Sequence, residues 1–316
     1  MEFPQGLQNN KNISEGDSKK CQRIVPCQYF APQKIEEALE ILSRYGREIK
    51  VIAGGTDLLV QYYDRLYEVN GWLDLRNISR LKNTRINKNV MEIGAMVSHA
   101  QLENSEDIKK YYPVLSQAAS DIGSPQIRNR GTIGGNIVNA SPAGDLLAPL
   151  MAYKAKFKLL SGKDETLIPA ENFFLGPKKT ILRPDQLLVQ IILPLPKKNT
   201  YGCWIKIGKR RALSIATITL ALVVEMAEDN KTVKDARACL GSVAPTPIEV
   251  KEIRKKMVGK SFNQLDFAEL GQIVEDKISP IDDIRGTREY RKDVAKEIMI
   301  NALEEIDSAC GGCINE

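Results

Sequence analysis

Two short glycine-bearing segments hold the residue types best suited to chemistry in this 316-residue sequence: Ala53-Gly54-Gly55-Thr56-Asp57 and Thr132-Ile133-Gly134-Gly135-Asn136. Glycine lacks a Cβ, so the backbone there can approach a ligand closely and turn in conformations that other residues resist. Successive N–H groups in such turns converge into an anion-binding nest, and a diphosphate is its natural guest. A single Gly-Gly pair is equally what a tight turn between a strand and a helix needs. Two pairs, each followed by polar hydrogen-bonding residues, point to a bound nucleotide. Neither segment carries the dinucleotide pattern GxGxxG or the phosphate-loop pattern GxxxxGK(S/T), so Rossmann and P-loop arrangements are excluded at the residue level. Like charges repel, so Asp57 is expected to cap the segment after it, or to face a ribose or ring rather than a phosphate. Asp145 is suited to accept from ribose hydroxyls in the same way.

The other reactive side chains suggest no second chemistry. His99 is the only histidine, so a Ser–His–Asp triad, a histidine metal cluster and histidine acid–base catalysis would all rest on one residue. It opens a helical pattern from Ser98 to Glu103 and is read as a surface or capping side chain. The six cysteines are scattered, which with no secretory signal indicates reduced thiols in a cytoplasm. Cys203 and Cys239 fall in apolar runs and read as core. Only Cys310-Gly311-Gly312-Cys313 has redox or metal spacing, and without a second pair it is read as part of a dispensable polar tail. Tyr62, Tyr63 and Tyr67 form an aromatic patch that suits packing as well as a flavin or partner surface. Asp282-Asp283 lacks the companion carboxylates of a metal site. No catalytic residue and no metal ligand is assigned.

Composition sets the outer limits. Apolar residues make up 43% and charged residues 27% of the chain, and its apolar runs, such as Ile215 to Met226, are too short and interrupted to span a bilayer. The net charge of +5 is spread along the chain, with clusters at Lys206-Lys209-Arg210-Arg211 and Lys251 to Lys256. No aromatic residues interleave with these clusters as a nucleic-acid surface would require. The first residues, to about 22, are polar and lack the apolar segment of a signal peptide, and are read as a disordered extension.

These features need elements to position them. A strand near Ile24 leads to a helix from Lys34 to Tyr45 ended by Gly46, then a strand from Ile49 to Ala53 that runs into the first glycine pair. Strands are expected at Trp72 to Leu75 and Val90 to Ile93, and a helix from Pro113 to Asp121. Gly123 to Asp145 is rich in glycine, asparagine and proline and reads as a binding loop. Strands follow at Lys154 to Leu160 and Leu187 to Leu193. After the Pro194-to-Asn199 boundary come strands at Ser214 to Met226 and Val233 to Ser242, then helices at Pro247 to Met257, Phe267 to Lys277 and Glu289 to Ile306. The expected organisation is an extension (1–22), a first domain (23–197, with subdomains of about 23–80 and 81–197), a second α+β domain (198–307) and a tail (308–316).

Ile52-Ala53-Gly54-Gly55-Thr56-Asp57-Leu58-Leu59, Thr132-Ile133-Gly134-Gly135-Asn136-Ile137 and Asn139-Ala140-Ser141-Pro142-Ala143-Gly144-Asp145 together resemble the FAD-binding medium subunit of the molybdenum hydroxylases. The pattern is most similar to bacterial xanthine dehydrogenase FAD-binding subunits and extends from about Ile24 to Ile306. The resemblance implies an α+β fold: a vanillyl-alcohol-oxidase-type (PCMH-like) FAD domain of two α/β subdomains, then a CO-dehydrogenase-flavoprotein-type domain. It implies that both loops embrace the FAD diphosphate. That carries over to Ala53, Gly54, Gly55, Thr56, Asp57 and Leu58, and to Thr132, Gly134, Gly135 and Asn136. It further implies contacts from Lys50, Val51 and Ile52 before the first loop, Ile122 and Gly123 before the second, and Asp145 and Val189 after it. Lys206 matches a lysine near the isoalloxazine ring, where a cation would stabilise the anionic reduced flavin.

By the same resemblance the chain relays electrons in a cytoplasmic complex. A molybdopterin-binding large subunit hydroxylates the substrate, a 2Fe-2S small subunit carries the electrons, and FAD passes them to NAD or another acceptor. The FAD subunit of a carbon monoxide or nicotinate enzyme is an alternative. The aryl-CoA reductase branch is disfavoured because its four-cysteine insertion is missing. A stand-alone FAD oxidase or reductase of the same superfamily would need its own acid–base groups, against which the single histidine argues.

Overall fold

The computed structural model describes residues 27–66, 68–210 and 213–311. The N-terminal extension with Cys21, the start of the strand near Ile24, Tyr67, Arg211 and Cys313 lie outside the described residues. Ile35, Ala38, Leu39 and Leu42 recur with helical period and form the buried face of the helix Ile35–Tyr45, which Gly46 ends at φ 50°. That face covers a parallel sheet in the order Gln28–Phe30, Gly71–Asp74, Ile49–Ile52. The strand Ile49–Ile52 therefore delivers the first glycine pair at its C-terminal end.

The second layer is an antiparallel sheet ordered Thr84–Asn87, Val90–Gly94, Leu187–Pro194, Lys156–Leu160, Glu165–Pro169. Short helices pack on it, among them His99–Asn104, Pro113–Ser120 and Leu147–Ala152, and their apolar faces fill the central core. A two-stranded hairpin, Phe174–Gly176 with Lys179–Thr180, stands beside them.

The third sheet runs Thr200–Gly208, Ala216–Met226, Val233–Gly241, Ile248–Glu249, all antiparallel. Side chains alternate across a strand, and here both faces of Ala216–Met226 are covered. Ile218, Leu220, Leu222, Val224 and Met226 join the core beneath the helices Lys251–Met257, Phe267–Lys277 and Arg288–Gly311. Ala221 and Val223, with Cys239 of the next strand, pack into the central core instead. The unbroken apolar character of that run follows from its two buried faces.

Several expectations change. Gly123 to Asp145 is not one loop: it holds the helices Pro125–Arg130 and Ile133–Asn139, each begun by a side-chain cap, Ser124 and Thr132. Such short helices are set by caps and packing, which a low count of bulky residues conceals. The strand Thr200–Gly208, which carries Lys206, was not anticipated because its inward and outward residues are mixed in polarity. The C-terminal helix reaches Gly311 and buries Cys310 in the core, so residues 308–311 belong to the helix and not to a tail. Asp283 accepts from Arg285 and from the buried Arg291 at 2.6 Å each. Both cations, Arg285 first, hold its carboxyl well below the usual range. No metal-holding cluster occurs among the described residues.

Candidate functional site

At the first loop Gly55 takes φ 75°, a left-handed conformation that suits glycine. A Cβ on Gly54 would overlap the Arg130 carbonyl oxygen, so this glycine lets the loop lie directly on the backbone that leads into the second loop. The amides of Gly54, Gly55, Thr56 and Asp57 donate to no protein acceptor among the described residues, while the following Leu59 amide bonds to the Gly55 carbonyl at 3.0 Å. Four successive unengaged donors are the nest that an anion needs.

The second loop is built differently. Ile133 N–H donates to the Val97 carbonyl at 2.9 Å, Gly134 N–H to the Ala95 carbonyl at 2.9 Å and Asn136 N–H to the Thr132 carbonyl at 3.0 Å. Gly135 N–H donates to the Thr132 hydroxyl at 3.1 Å. All four donors are engaged inside the protein, so this loop supplies shape and not a second nest. A Cβ on Gly134 would stand 2.6 Å from the Ala95 carbonyl oxygen, whereas one on Gly135 would project toward Ala53, 3.9 Å from its Cβ. Gly134 seats the helix and Gly135 keeps clear the space between the loops. The Asn136 Oδ1 is buried there without a hydrogen-bond partner.

Lys178, which the sequence reading overlooked, ties the loops together. Its ammonium donates to Asp57 Oδ2 at 3.2 Å and Asn139 Oδ1 at 2.7 Å. Asp57 itself makes no capping bond to the helix Leu58–Tyr63; its carboxylate is held by Gln61 and Lys178. A lysine in a hairpin tip, far along the chain from both loops, carries no local signal of this role.

The second half of the site lies where the first 200 residues meet the third sheet. A cavity of about 870 Å³ is lined on one side by Asp121, Gly123 and Arg128 and on the other by Lys206, Lys209 and Arg210. Gly123 takes φ 48°, and Arg128 clamps this turn by donating to the Ile122 and Gly123 carbonyls at 3.3 Å each while pairing with Glu103 at 2.7 Å. The Lys206 ammonium donates to the Asp121 carbonyl at 2.8 Å and to Asp145 Oδ2 at 2.7 Å. Burial pushes the Asp145 carboxyl up to about 6 against the opposing pull of Lys206, and its Oδ1 is buried without a partner.

The remaining residues of the expected site are placed less directly. Ile52 packs beside Gly55, and Leu58 begins the helix after the loop. Lys50 is exposed on its strand, and Val51 packs toward the N-terminal core. Val189 is in that core, against which Ala53 of the first loop also packs, and its carbonyl accepts from the Ala95 amide at 3.0 Å.

His99 departs most from expectation. It is buried, not a surface residue, with its ring against Gly131, where a Cβ would stand 2.7 Å from the histidine Cδ2. Burial, then the charge of Arg128, push it down to about 4, and its Nδ1 has no partner. A neutral imidazole thus forms the floor under the entry to the second loop.

These donors and acceptors fit a dinucleotide: open amides and a nearby ammonium for a diphosphate, unpartnered Asn136 and Asp145 oxygens for hydroxyl or amide donors, and a cavity beyond. The architecture is that of a vanillyl-alcohol-oxidase-type FAD domain followed by an α+β domain. Residues 23–196 match the family described as FAD binding domain in molybdopterin dehydrogenase, and residues 204–306 match the CO dehydrogenase flavoprotein C-terminal domain. The chain belongs to this family of FAD-binding oxidoreductase subunits, and FAD is its cofactor.

Among its relatives is the carbon monoxide dehydrogenase medium chain of Hydrogenophaga pseudoflava, 31% identical over 90% of this chain and 98% of that one. The xanthine dehydrogenase FAD-binding subunit of Escherichia coli O157:H7 is 28% identical over 90% of this chain and 97% of that one. The solved carbon monoxide dehydrogenase from Hydrogenophaga pseudoflava matches with a TM-score of 0.85 at 30% identity, over 90% of this chain and 98% of that chain.

Proposed function

We propose that this chain is the FAD-carrying relay subunit of a molybdopterin-dependent hydroxylase or dehydrogenase. It takes electrons from a 2Fe-2S subunit and passes them to NAD or another acceptor, while a molybdopterin-binding large subunit acts on the substrate. The supporting observation is the run of four open amides from Gly54 to Asp57, in the loop beside which Gly135 carries no side chain. FAD supplies the redox chemistry when bound, accepting and releasing electrons at its ring. The protein's own work is binding and tuning. The first loop holds the diphosphate, Asn136 accepts a donor from the cofactor, and Lys178 keeps the loops in register. Lys206 presents one side of a buried ammonium to the cavity.

Within this class a xanthine-dehydrogenase-like enzyme is the finer reading. It is supported by the motif pattern and by the lack of a four-cysteine insertion, while the carbon monoxide and xanthine relatives match at nearly equal identity. Purified chain should carry about one FAD, identified by its absorption spectrum and by chromatography after denaturation. Reconstitution with co-purifying subunits should restore substrate-dependent reduction of an acceptor only when FAD is present. A chain unable to bind FAD, or a FAD-free chain that still relays electrons, overturns the reading. Turnover of a small substrate by the isolated chain would instead favour a stand-alone flavoenzyme.

A further inference from the structure

His99 and Glu103 are four residues apart on the helix His99–Asn104 and so share one of its faces. That face meets the helix Pro125–Arg130 at two points. The Glu103 carboxylate pairs with Arg128 at 2.7 Å, inside that helix. The His99 ring lies against Gly131, which ends it. The backbones alongside are bonded as well: the His99 amide donates to the Gly131 carbonyl at 3.0 Å, and the Ile133 amide to the Val97 carbonyl at 2.9 Å. The ring thus rests on the residue to which its own amide is tied.

Gly131 has an ordinary extended backbone, φ −62° and ψ 142°, open to any residue. Its missing side chain therefore serves clearance: a Cβ there would stand 2.7 Å from His99 Cδ2 and 2.9 Å from Nε2. The same backbone carries the first loop. A Cβ on Gly54 would overlap the Arg130 carbonyl oxygen and stand 2.9 Å from the Gly131 Cα. Contact thus runs from the His99 ring through Gly131 to Gly54 with no side chain between. The ring is buried and its Nδ1 has no hydrogen-bond partner, so its place is set by packing. Arg128, the charge beside it, is held in place by Glu103 and by the Ile122 and Gly123 carbonyls. In a close-packed interior the thickness of such a ring is transmitted to whatever rests on it.

We propose that His99 is a positioning residue for FAD: without touching the cofactor, its ring holds the Arg130–Gly131 backbone against Gly54 and so sets the gap between the two glycine loops. This rests on the FAD site proposed above, and it gives the single histidine of the chain a role that is neither acid–base nor metal-ligating.

The test is a double-mutant cycle in the full chain: His99→Ala, Gly131→Ala and both together, each read as thermal midpoint of the apoprotein and as FAD dissociation constant by fluorescence titration. Each single substitution should weaken FAD binding about tenfold, the first by letting the backbone relax away from Gly54 and the second by driving it off the ring. In the double variant the added methyl takes up part of the space that the ring leaves, with a 3.1 Å approach to the Ile127 carbonyl oxygen. It should therefore bind FAD more tightly than either single variant. A ring that contacted the cofactor itself would be missed equally with Gly or Ala at position 131, so equal losses in both backgrounds overturn the proposal. Unchanged affinity in folded His99→Ala overturns it too, since the ring would then serve stability alone. If His99→Ala does not fold, His99→Gln carries the same cycle with the same expected and overturning results. Wild-type chain that binds no FAD would defeat the proposed function itself, an outcome distinct from all of these.

Discussion

His99 sits where a charge would be costly, beneath the second loop and beside Arg128. Folded His99 keeps its neutral form down to about pH 4, whereas the ordinary value is 6.5. Between those values the unfolded chain binds the extra proton, so the stability His99 provides is complete above 6.5 and is lost as pH falls toward 4. The change is on the order of 3 kcal/mol. Asp145 works in the opposite sense, since its folded carboxyl titrates near 6 and its ordinary value is 3.8; its stabilisation is full below 3.8 and lost as pH rises through 6. Replacing His99 by Gln should flatten the fall in thermal midpoint between pH 6.5 and 4, and an unchanged slope would refute this assignment. The glycines offer a sharper contrast. Gly54→Ala forces a side chain into the Arg130 carbonyl and should destabilise the fold by several kcal/mol. Gly135→Ala meets the Thr132 hydroxyl at 3.0 Å and the Ala53 Cβ at 3.9 Å but no backbone, so it should leave the melting temperature nearly intact while weakening FAD binding at least tenfold in a fluorescence titration.

At the scale of elements, the site is a strand end and a helix start brought side by side. Thr132 and Ser98 cap neighbouring helices and pair in a single β-bridge, which joins the helix His99–Asn104 to the helix of the second loop. Only the Ser98 cap was visible in the sequence, as a polar residue ahead of a helical pattern, because a cap is a local bond; Thr132 fell in the stretch read as a binding loop. Nor was the bridge between them visible. Lys178 extends the point, since its hairpin, Phe174–Gly176 with Lys179–Thr180, reaches two elements from elsewhere in the chain. It is half exposed, so Lys178→Gln should cost at most about 1 kcal/mol of stability. Because it loosens the loop pair, it should speed FAD release in stopped-flow measurements; an unchanged release rate would remove Lys178 from the site.

Over the whole molecule, the boundary we place at 197/198 divides the sequence more cleanly than it divides the core. Ala221, Val223 and Cys239 complete the central cluster from across that boundary, and Gly202 packs against Val114. The buried guanidinium of Arg291 donates to the Thr217 and Ser242 carbonyls at 3.0 and 2.7 Å. The Ser242 amide in turn donates to the Pro142 carbonyl at 2.8 Å, in the segment that leads to Asp145. A fragment of residues 27–197 would expose the apolar surface that the third sheet covers. It should therefore aggregate or bind no FAD, and calorimetry of the full chain should show the central and third layers melting in one transition. Two well-separated transitions, or a monomeric fragment that retains FAD, would contradict this.

The sequence alone determined the family, the cofactor class and most regular elements, because glycine pairs, caps and apolar periods are written in neighbouring residues. It showed which side chains have the right chemistry, and it excluded the common dinucleotide folds by the spacing of their glycines. Tertiary structure decided which of that chemistry remains available. Only the first loop keeps its amides open, because Val97, Ala95 and Thr132 consume those of the second. Lys206 is a paired cation and not a bare one, because the chain brings Asp145 to 2.7 Å from its ammonium. Whether a donor is open or a charge is cancelled depends on partners supplied by distant segments, and no local pattern records them.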